Sequence, residues 1–401
     1  MVNAVASTLA FVESPVQLLN VLEWAHADAA AATDAVPDPG QVLAGVPRQP
    51  DRRVAAAGEA GEAGEAGAGG SPDGAAAARP FRIVVLPPTD PMSRGQLRRI
   101  AGIARDQGHT VQWQEARGGS AAPFKALASL AGEVRRADRV VVGDPFSRFV
   151  QLLLVPARAK ELVVVDDGTA TMEFLAQLGR GERLRRWHRT GTGTLARIKE
   201  LAYAPVSGRA RRRLTPGPDR RVEVFTSMPV TPLPGMVLRV NDFAWTRSRF
   251  GPPRLTKGTD LVGTSLVETG VVDADRYLEA VGRLTRVHGA TRYFAHRRES
   301  PEKLRALSEA TGLEIVRPDL PLELIARRGP IGRTIVSFPS TVVHTLPYAL
   351  DGTGVKVAVC DIDPSWLTAT TSSRARGFLA GVADTARDVH RLPSQAAPAA
   401  G

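Results

Sequence analysis

Four short stretches hold groups that can move a proton or grip an anion. In Asp166-Asp167-Gly168-Thr169, two successive carboxylates and a glycine directly follow the aliphatic run Val163-Val164-Val165. One carboxylate at a strand end can act as a general base while its neighbour orients it, and the glycine permits a sharp turn. The same residues also suit the capping of a helix that starts near Thr171. In Phe294-Ala295-His296-Arg297-Arg298-Glu299 an imidazole is followed by two guanidiniums. Imidazolium donates protons near neutral pH, and Arg holds phosphate oxygens bidentately. A solvated charged turn is the plainer reading. Phe338-Pro339-Ser340-Thr341 supplies two hydroxyls ahead of helix amides, a setting for phosphate that needs no metal, or else a simple cap. In Asp319-Leu320-Pro321-Leu322-Glu323-Leu324, Glu323 could accept hydrogen bonds from ribose hydroxyls, or simply begin a helix.

These residues need strands to end where they stand. Continuous aliphatic runs alternate with helical spacing along the chain, which points to parallel sheets covered on both faces. Ser7–Val12, Phe81–Leu86, Thr110–Gln114, Arg139–Val142 and Glu161–Val165 read as strands of one α/β unit. Val222–Phe225, Asp260–Gly263, Arg292–Ala295, Leu313–Val316, Thr334–Phe338 and Val355–Val359 read as strands of a second. The fold class is therefore α/β, two Rossmann-like parallel-sheet domains facing a central cleft. The first domain is expected over residues 1–215 and the second over 216–372, with the basic stretch Arg180–Arg221 leading to the boundary. Residues 25–79 are rich in Ala, Gly and charge, including Gly58-Glu59-Ala60-Gly61-Glu62-Ala63, and read as a disordered insertion. A helix over 373–391 is expected to pack back across the first domain, and 392–401 to be a disordered tail.

Composition narrows the function. The chain has 401 residues, 43% of them hydrophobic, enough for a sizeable core. One cysteine, Cys360, excludes a disulfide framework and cysteine-rich metal sites, and the histidines lack paired ligand spacing. No apolar run is long enough to span a bilayer and no secretory leader is evident, so a cytoplasmic location is expected. A net charge of +11 favours anionic partners. Arginine clusters with few aromatics do not make a nucleic-acid stacking platform, so no nucleic-acid partner is expected. Basic patches leave room for peripheral association with a membrane.

Taken together and in order, the motifs resemble those of the bacterial sialyltransferases, in particular the capsule polysialyltransferases and lipooligosaccharide sialyltransferases. Phe11-Val12-Glu13-Ser14-Pro15-Val16-Gln17-Leu18-Leu19-Asn20 is similar to the family's opening strand and helix, and Asp166-Asp167-Gly168 to its D/E-D/E-G motif. Phe294-Ala295-His296 is similar to the approach to its His-Pro motif, with Arg297 where the family carries Pro, and Phe338-Pro339-Ser340-Thr341 to its phosphate loop. The resemblance implies a GT-B architecture and inverting transfer of sialic acid from CMP-sialic acid to a glycan acceptor, itself sometimes anionic, with no metal and no further cofactor. It implies Asp166 as base, Asp167 and Gly168 as shapers of the loop, and His296 as the group assisting departure of CMP. Glu323 would hold the ribose, Ser340 and Thr341 the phosphate with Arg297 and Arg298 beside it, and Ser14 and Gln17 would face the cleft. Two other readings fit the same residues: a GT-B enzyme using another CMP- or nucleoside-diphosphate sugar, and a non-catalytic binder of polyanions through the cluster Arg209–Arg213.

Overall fold

The computed structural model describes residues 7–34, 80–117, 122–185, 194–386 and 388–393, with the side chains of 194–200, 202, 374 and 378 excepted. By its contacts the segment Ala25–Arg79 separates from the rest of the chain, and the expectation of disorder there falls on residues 35–79, outside the described ones. Residues 25–34 are helical.

The first part of the chain runs β1 (Thr8–Val12), α1 (Pro15–Asp34), β2 (Arg82–Val85), α2 (Pro91–Asp106), β3 (Thr110–Trp113), α3 (Ala122–Arg136), β4 (Arg139–Val142), α4 (Arg148–Leu154), β5 (Glu161–Val165), α5 (Thr169–Gly179), α6 (Thr194–Arg213), β6 (Arg221–Thr226), β7 (Val237–Val240) and α7 (Ala244–Arg249). The second part runs β8 (Leu255–Val262), α8 (Ala274–His288), β9 (Ala290–Phe294), α9 (Pro301–Thr311), β10 (Glu314–Val316), α10 (Leu322–Arg328), β11 (Ile331–Ser337), α11 (Val342–Ala349), β12 (Lys356–Cys360), α12 (Ser373–Thr385) and β13 (His390–Leu392).

Two parallel sheets result. The first has the order β3-β2-β1-β4-β5-β6-β7 and the second β10-β9-β8-β11-β12-β13. Counted within each sheet, both begin 3-2-1-4-5-6, the dinucleotide-fold order, whose strand direction of travel reverses beside the first strand. Ligands of such sheets sit outside the carboxyl ends of the strands at that reversal. The aliphatic runs form strands because both faces are covered: Val84, Val140 and Val164 lie in one buried cluster, and Leu261, Val336 and Ala358 in another.

The expected domain boundary at 215/216 is corrected. Val222–Phe225 belongs to β6, which pairs with β5 in the register Glu161↔Arg221 to Val165↔Phe225, and β7 pairs beyond it. A buried aliphatic strand reads the same whichever sheet it joins. The Arg-rich α6, with Pro205 inside it, is a crossover rather than a linker. The chain passes to the second sheet between β7 and β8. The expected path of the C-terminal helix is also corrected. Val382 of α12 packs with Val343 and Val359 of the second domain, and β13 extends the second sheet in parallel with β12. Among the described residues no helix is long and apolar enough to cross a membrane.

The passage between sheets is held by α7. Glu23 of α1 accepts hydrogen bonds from the amides of Trp245 and Thr246 at 2.9 and 3.0 Å and from the Thr246 hydroxyl at 2.5 Å. At the other end of α7, Arg247 donates to the carbonyl of Tyr348 in α11 at 3.2 Å. Burial pushes the Glu23 carboxyl up to about 7, against the downward pull of the Thr246 and Trp245 bonds. The folded chain therefore keeps this proton to higher pH than the unfolded chain. The resulting stabilisation is complete below about pH 4 and is lost as pH rises through 7. Thermal unfolding of the wild type should show declining stability between pH 5 and 8. Glu23→Gln should flatten that decline and, by setting an amide N–H₂ against backbone donors, cost about 1–3 kcal/mol at pH 5. An unchanged slope would remove Glu23 from the linkage.

Candidate functional site

On the first domain the strand ends bring carboxylates together. Glu13 follows β1, Asp144 follows β4 and Asp167 follows β5. Glu13 is paired with Arg117 and accepts from the Ser147 hydroxyl. Its carboxyl is raised first by burial, with Arg117 opposing and the charges of Asp144 and Asp167 adding to the rise. Glu13 and Asp144 were not among the expected site residues. Their signal was position alone: each stands at the end of one of the two strands that flank the reversal of the first sheet.

Asp166 does not present its carboxylate to the cleft. It is 1% exposed. Its Oδ1 accepts from the Gly168 amide at 2.9 Å and the Thr171 hydroxyl at 2.8 Å, and its Oδ2 from the Ser227 amide at 3.2 Å. Its own carbonyl accepts from Asn20 Nδ2 at 2.9 Å. Burial raises the carboxyl to about 6, with Thr171, Thr226 and the Ser227 amide holding it from rising further. The expected base is thus the group that builds the loop. Asp167, half-buried beside it, is the carboxylate of the pair with open surface. Gln17 is corrected likewise: it is buried, and its Oε1 accepts from the Glu13 amide at 2.7 Å. Ser14 accepts from the Gln17 amide at 3.2 Å as the cap of α1 and stays half-buried.

On the second domain His296 follows β9 and is half-buried. Its amide donates to Glu299 Oε2 at 2.6 Å. Glu299 in turn accepts from the Tyr293 hydroxyl at 2.5 Å and pairs with Lys303 at 2.8 Å, while Tyr277 and Tyr293 share a bond of 2.7 Å. The network leaves room only for a glycine at the end of β8: a Cβ on Gly263 would lie 2.2 Å from Glu299 Oε2. His296 Nδ1 accepts from the Arg298 amide at 3.2 Å, which places the proton of the neutral ring on Nε2. Burial, then the charges of Arg297, Arg298 and Lys303, push this histidine down to about 4. At neutral pH it is therefore a neutral hydrogen-bond donor, not the imidazolium expected from sequence. Arg297 and Arg298 are exposed.

Ser340 and Thr341, both half-buried, follow β11, and the Ser337 and Ser340 hydroxyls lie 3.2 Å apart. Glu323 is corrected: it is 4% exposed in the first turn of α10 and accepts from the Thr345 hydroxyl of α11 at 2.6 Å, so it braces two helices. His344, next to Thr345 in α11, is buried, its Nε2 has no partner among the described residues, and burial lowers it to about 4.

The two domains meet at these loops. Gly168 has φ +71°, and a Cβ built there would lie 2.4 Å from Thr341 Oγ1 and 2.8 Å from Thr341 Cγ2. Arg297 lies close enough to Asp90, the cap of α2, to lower that carboxyl, although burial of Asp90 is the largest influence on it. Gln96 donates to the Pro318 carbonyl at 2.8 Å, and Arg99 pairs with Asp319 at 3.4 Å. Among the described residues no group of three or more His, Cys, Asp and Glu is arranged to hold a metal.

No family model and no curated protein matches the chain. Among solved structures, an alpha/beta-galactoside alpha-2,3-sialyltransferase from Photobacterium phosphoreum is 8% identical, with TM-score 0.48 over 97% of this chain and 99% of that one. A sialyltransferase GT-B domain from Photobacterium damselae is 8% identical, with TM-score 0.43 over 96% and 99%. MurG from Acinetobacter baumannii is 9% identical, with TM-score 0.34 over 98% and 88%. At these values none of the three carries an activity over to this chain.

The approach of Gly168 to Thr341 yields a prediction. Gly168→Ala combines a left-handed φ with a steric overlap and should cost about 1–3 kcal/mol by thermal or denaturant unfolding. Adding Thr341→Ala should recover part of the loss, because the worst overlaps go while the backbone strain and a tight 3.2 Å approach to the residue-341 Cβ remain. Equal stability of Gly168→Ala and wild type would mean that the loops do not meet.

Proposed function

We propose that the protein is an inverting glycosyltransferase that moves sialic acid from CMP-sialic acid to a hydroxyl of a glycan acceptor. The observation that carries this reading is the meeting of the carboxylate loop after β5 with the hydroxyl loop after β11, both at the carboxyl ends of strands.

Each residue then has a task. Asp167 takes the proton of the acceptor hydroxyl as that oxygen attacks the anomeric carbon. Asp166 orients Asp167 by fixing the loop. The bond from the anomeric carbon to the CMP oxygen breaks in the same step, so the configuration inverts. Charge gathers on the departing phosphate, where the His296 Nε2 proton, the Ser340 and Thr341 hydroxyls and the Arg297 and Arg298 guanidiniums can meet it. A resting pKa of about 4 for His296 suits this donor role. A phosphate dianion placed beside the ring would raise its affinity for a proton. The reading includes no metal, since these donors and cations supply the countercharge. The overall positive charge would draw in an anionic donor and an anionic acceptor.

A second reading keeps the architecture and changes the donor, because Arg297 stands where the resembled family carries Pro.

Two measurements check the proposal. In thermal-shift titrations CMP should raise the melting temperature and UDP and GDP should not. Stabilisation by UDP alone would replace CMP-sialic acid with a UDP-sugar. In transfer assays containing EDTA, Asp167→Asn should lower kcat/KM about 10²–10⁴-fold while leaving CMP affinity near that of the wild type. Full activity of that variant would eliminate the proposed base.

A further inference from the structure

A second concave basic site lies at the opposite end of the first sheet. It is built from the residues that lead into β5 and β6: Arg158 and Lys160 before β5, Arg213 at the last turn of α6, and Arg220 in the turn before β6. They line a cavity of about 380 Å³, within the size range of small-molecule sites. Asp219 is the one carboxylate in its lining. Because strands 5 and 6 carry the candidate active-site loops at their other ends, this cavity is separate from that site.

Among the described residues Arg158 and Arg213 have neither an ion pair nor a side-chain hydrogen bond. Arg220 is fixed in place: its Nε donates to the Thr215 carbonyl at 3.1 Å, and its Nη2 to the carbonyls of Arg212 and Thr215 at 2.8 and 3.0 Å. The turn that carries it is closed by reciprocal backbone bonds between Gly217 and Arg220 at 3.2 and 3.0 Å. Partial burial, and then the neighbouring charge of Arg220, make the protonated state of Arg213 less favourable than in water. Like charges held together around a cavity are repulsive until an anion enters, and guanidiniums match phosphate oxygens in geometry as well as charge.

We propose that this pocket binds a phosphate or diphosphate group, held by Arg158, Lys160, Arg213 and Arg220, at a site distinct from the one between the two domains. The group could be carried by a soluble phosphorylated compound or by a lipid headgroup. The recognition chemistry is the same, and the test separates the sources.

The full chain is titrated with inorganic pyrophosphate by calorimetry at low ionic strength, with CMP held at saturation to occupy the other site. In parallel it is sedimented with vesicles of phosphatidylcholine containing phosphatidylglycerol. The Arg158→Gln/Arg213→Gln variant removes two unpartnered exposed or half-exposed cations, so the fold should survive, which melting with and without CMP verifies. The wild type should bind pyrophosphate, and the double variant should bind it at least tenfold more weakly with unchanged affinity for CMP. Asp219→Asn, which removes the opposing carboxylate, should bind it several-fold more tightly. Vesicle binding lost in the double variant, without pyrophosphate binding by the wild type, supports the site and assigns the phosphate to lipid. Equal pyrophosphate and vesicle binding by wild type and double variant, or no binding by either, overturns the proposal, as does weaker binding by Asp219→Asn.

Discussion

A buried carboxylate sets the geometry on which the candidate site depends. Asp166 lies at the end of β5 almost wholly buried, and its oxygens take up the Gly168 and Ser227 amides and the Thr171 hydroxyl. Removing a carboxylate from water is costly unless donors replace the lost hydration, and this one has them. The arrangement ties the loop after β5 both to the start of α5 and to the end of β6. It also holds Gly168 in a conformation open to glycine, with its bare α-carbon against Thr341. Asp167 is thereby carried to the border between the domains, next to Glu13 and Asp144, where a carboxylate can be useful without being buried.

The second domain solves the matching problem in another way. Glu299 is the hub there: its carboxylate takes the His296 amide, the Tyr293 hydroxyl and the Lys303 ammonium. The imidazole is placed by its backbone and by the bond from the Arg298 amide, which leaves Nε2 to donate. Burial, and then the surrounding positive charge, keep the ring neutral. Each domain thus has a buried acidic residue as scaffold, Asp166 or Glu299, and beside it a less buried group, Asp167 or His296, to which the proposed function gives the chemistry.

Much of this was legible in the sequence and some was not, for identifiable reasons. Aliphatic runs such as Glu161–Val165 and capped helices such as Ala274–His288 carry strong local signals, with Asp273 at one end of the helix and Gly289 in the left-handed region at the other. Sheet membership is not a local property. Val222–Phe225 lies beside β5 because α6 returns the chain there, and the arginines of α6 gave it the composition of a linker. The four polar clusters stand at strand ends or helix starts, as their sequences indicate, but which side chain of each turns inward is not legible in them. Nothing in Asp-Asp-Gly says which carboxylate turns inward. That is decided by Thr171 and by Ser227, 61 positions away. Gln17 and Glu323 read as cleft residues and are buried braces: Gln17 turns back on the Glu13 amide four positions earlier, and Glu323 meets Thr345, 22 positions on, only when α10 packs on α11.

The central claim is that one nucleotide-sugar sits between the loop after β5 and the loops after β9 and β11. A crystal structure of the chain with CMP tests it most directly. The account predicts the phosphate within hydrogen-bonding distance of His296 Nε2 and the Ser340 and Thr341 hydroxyls, with the Asp167 carboxylate facing the space beyond it. A nucleotide seated instead at the ends of β1 and β4 on the first sheet, away from His296, would contradict it.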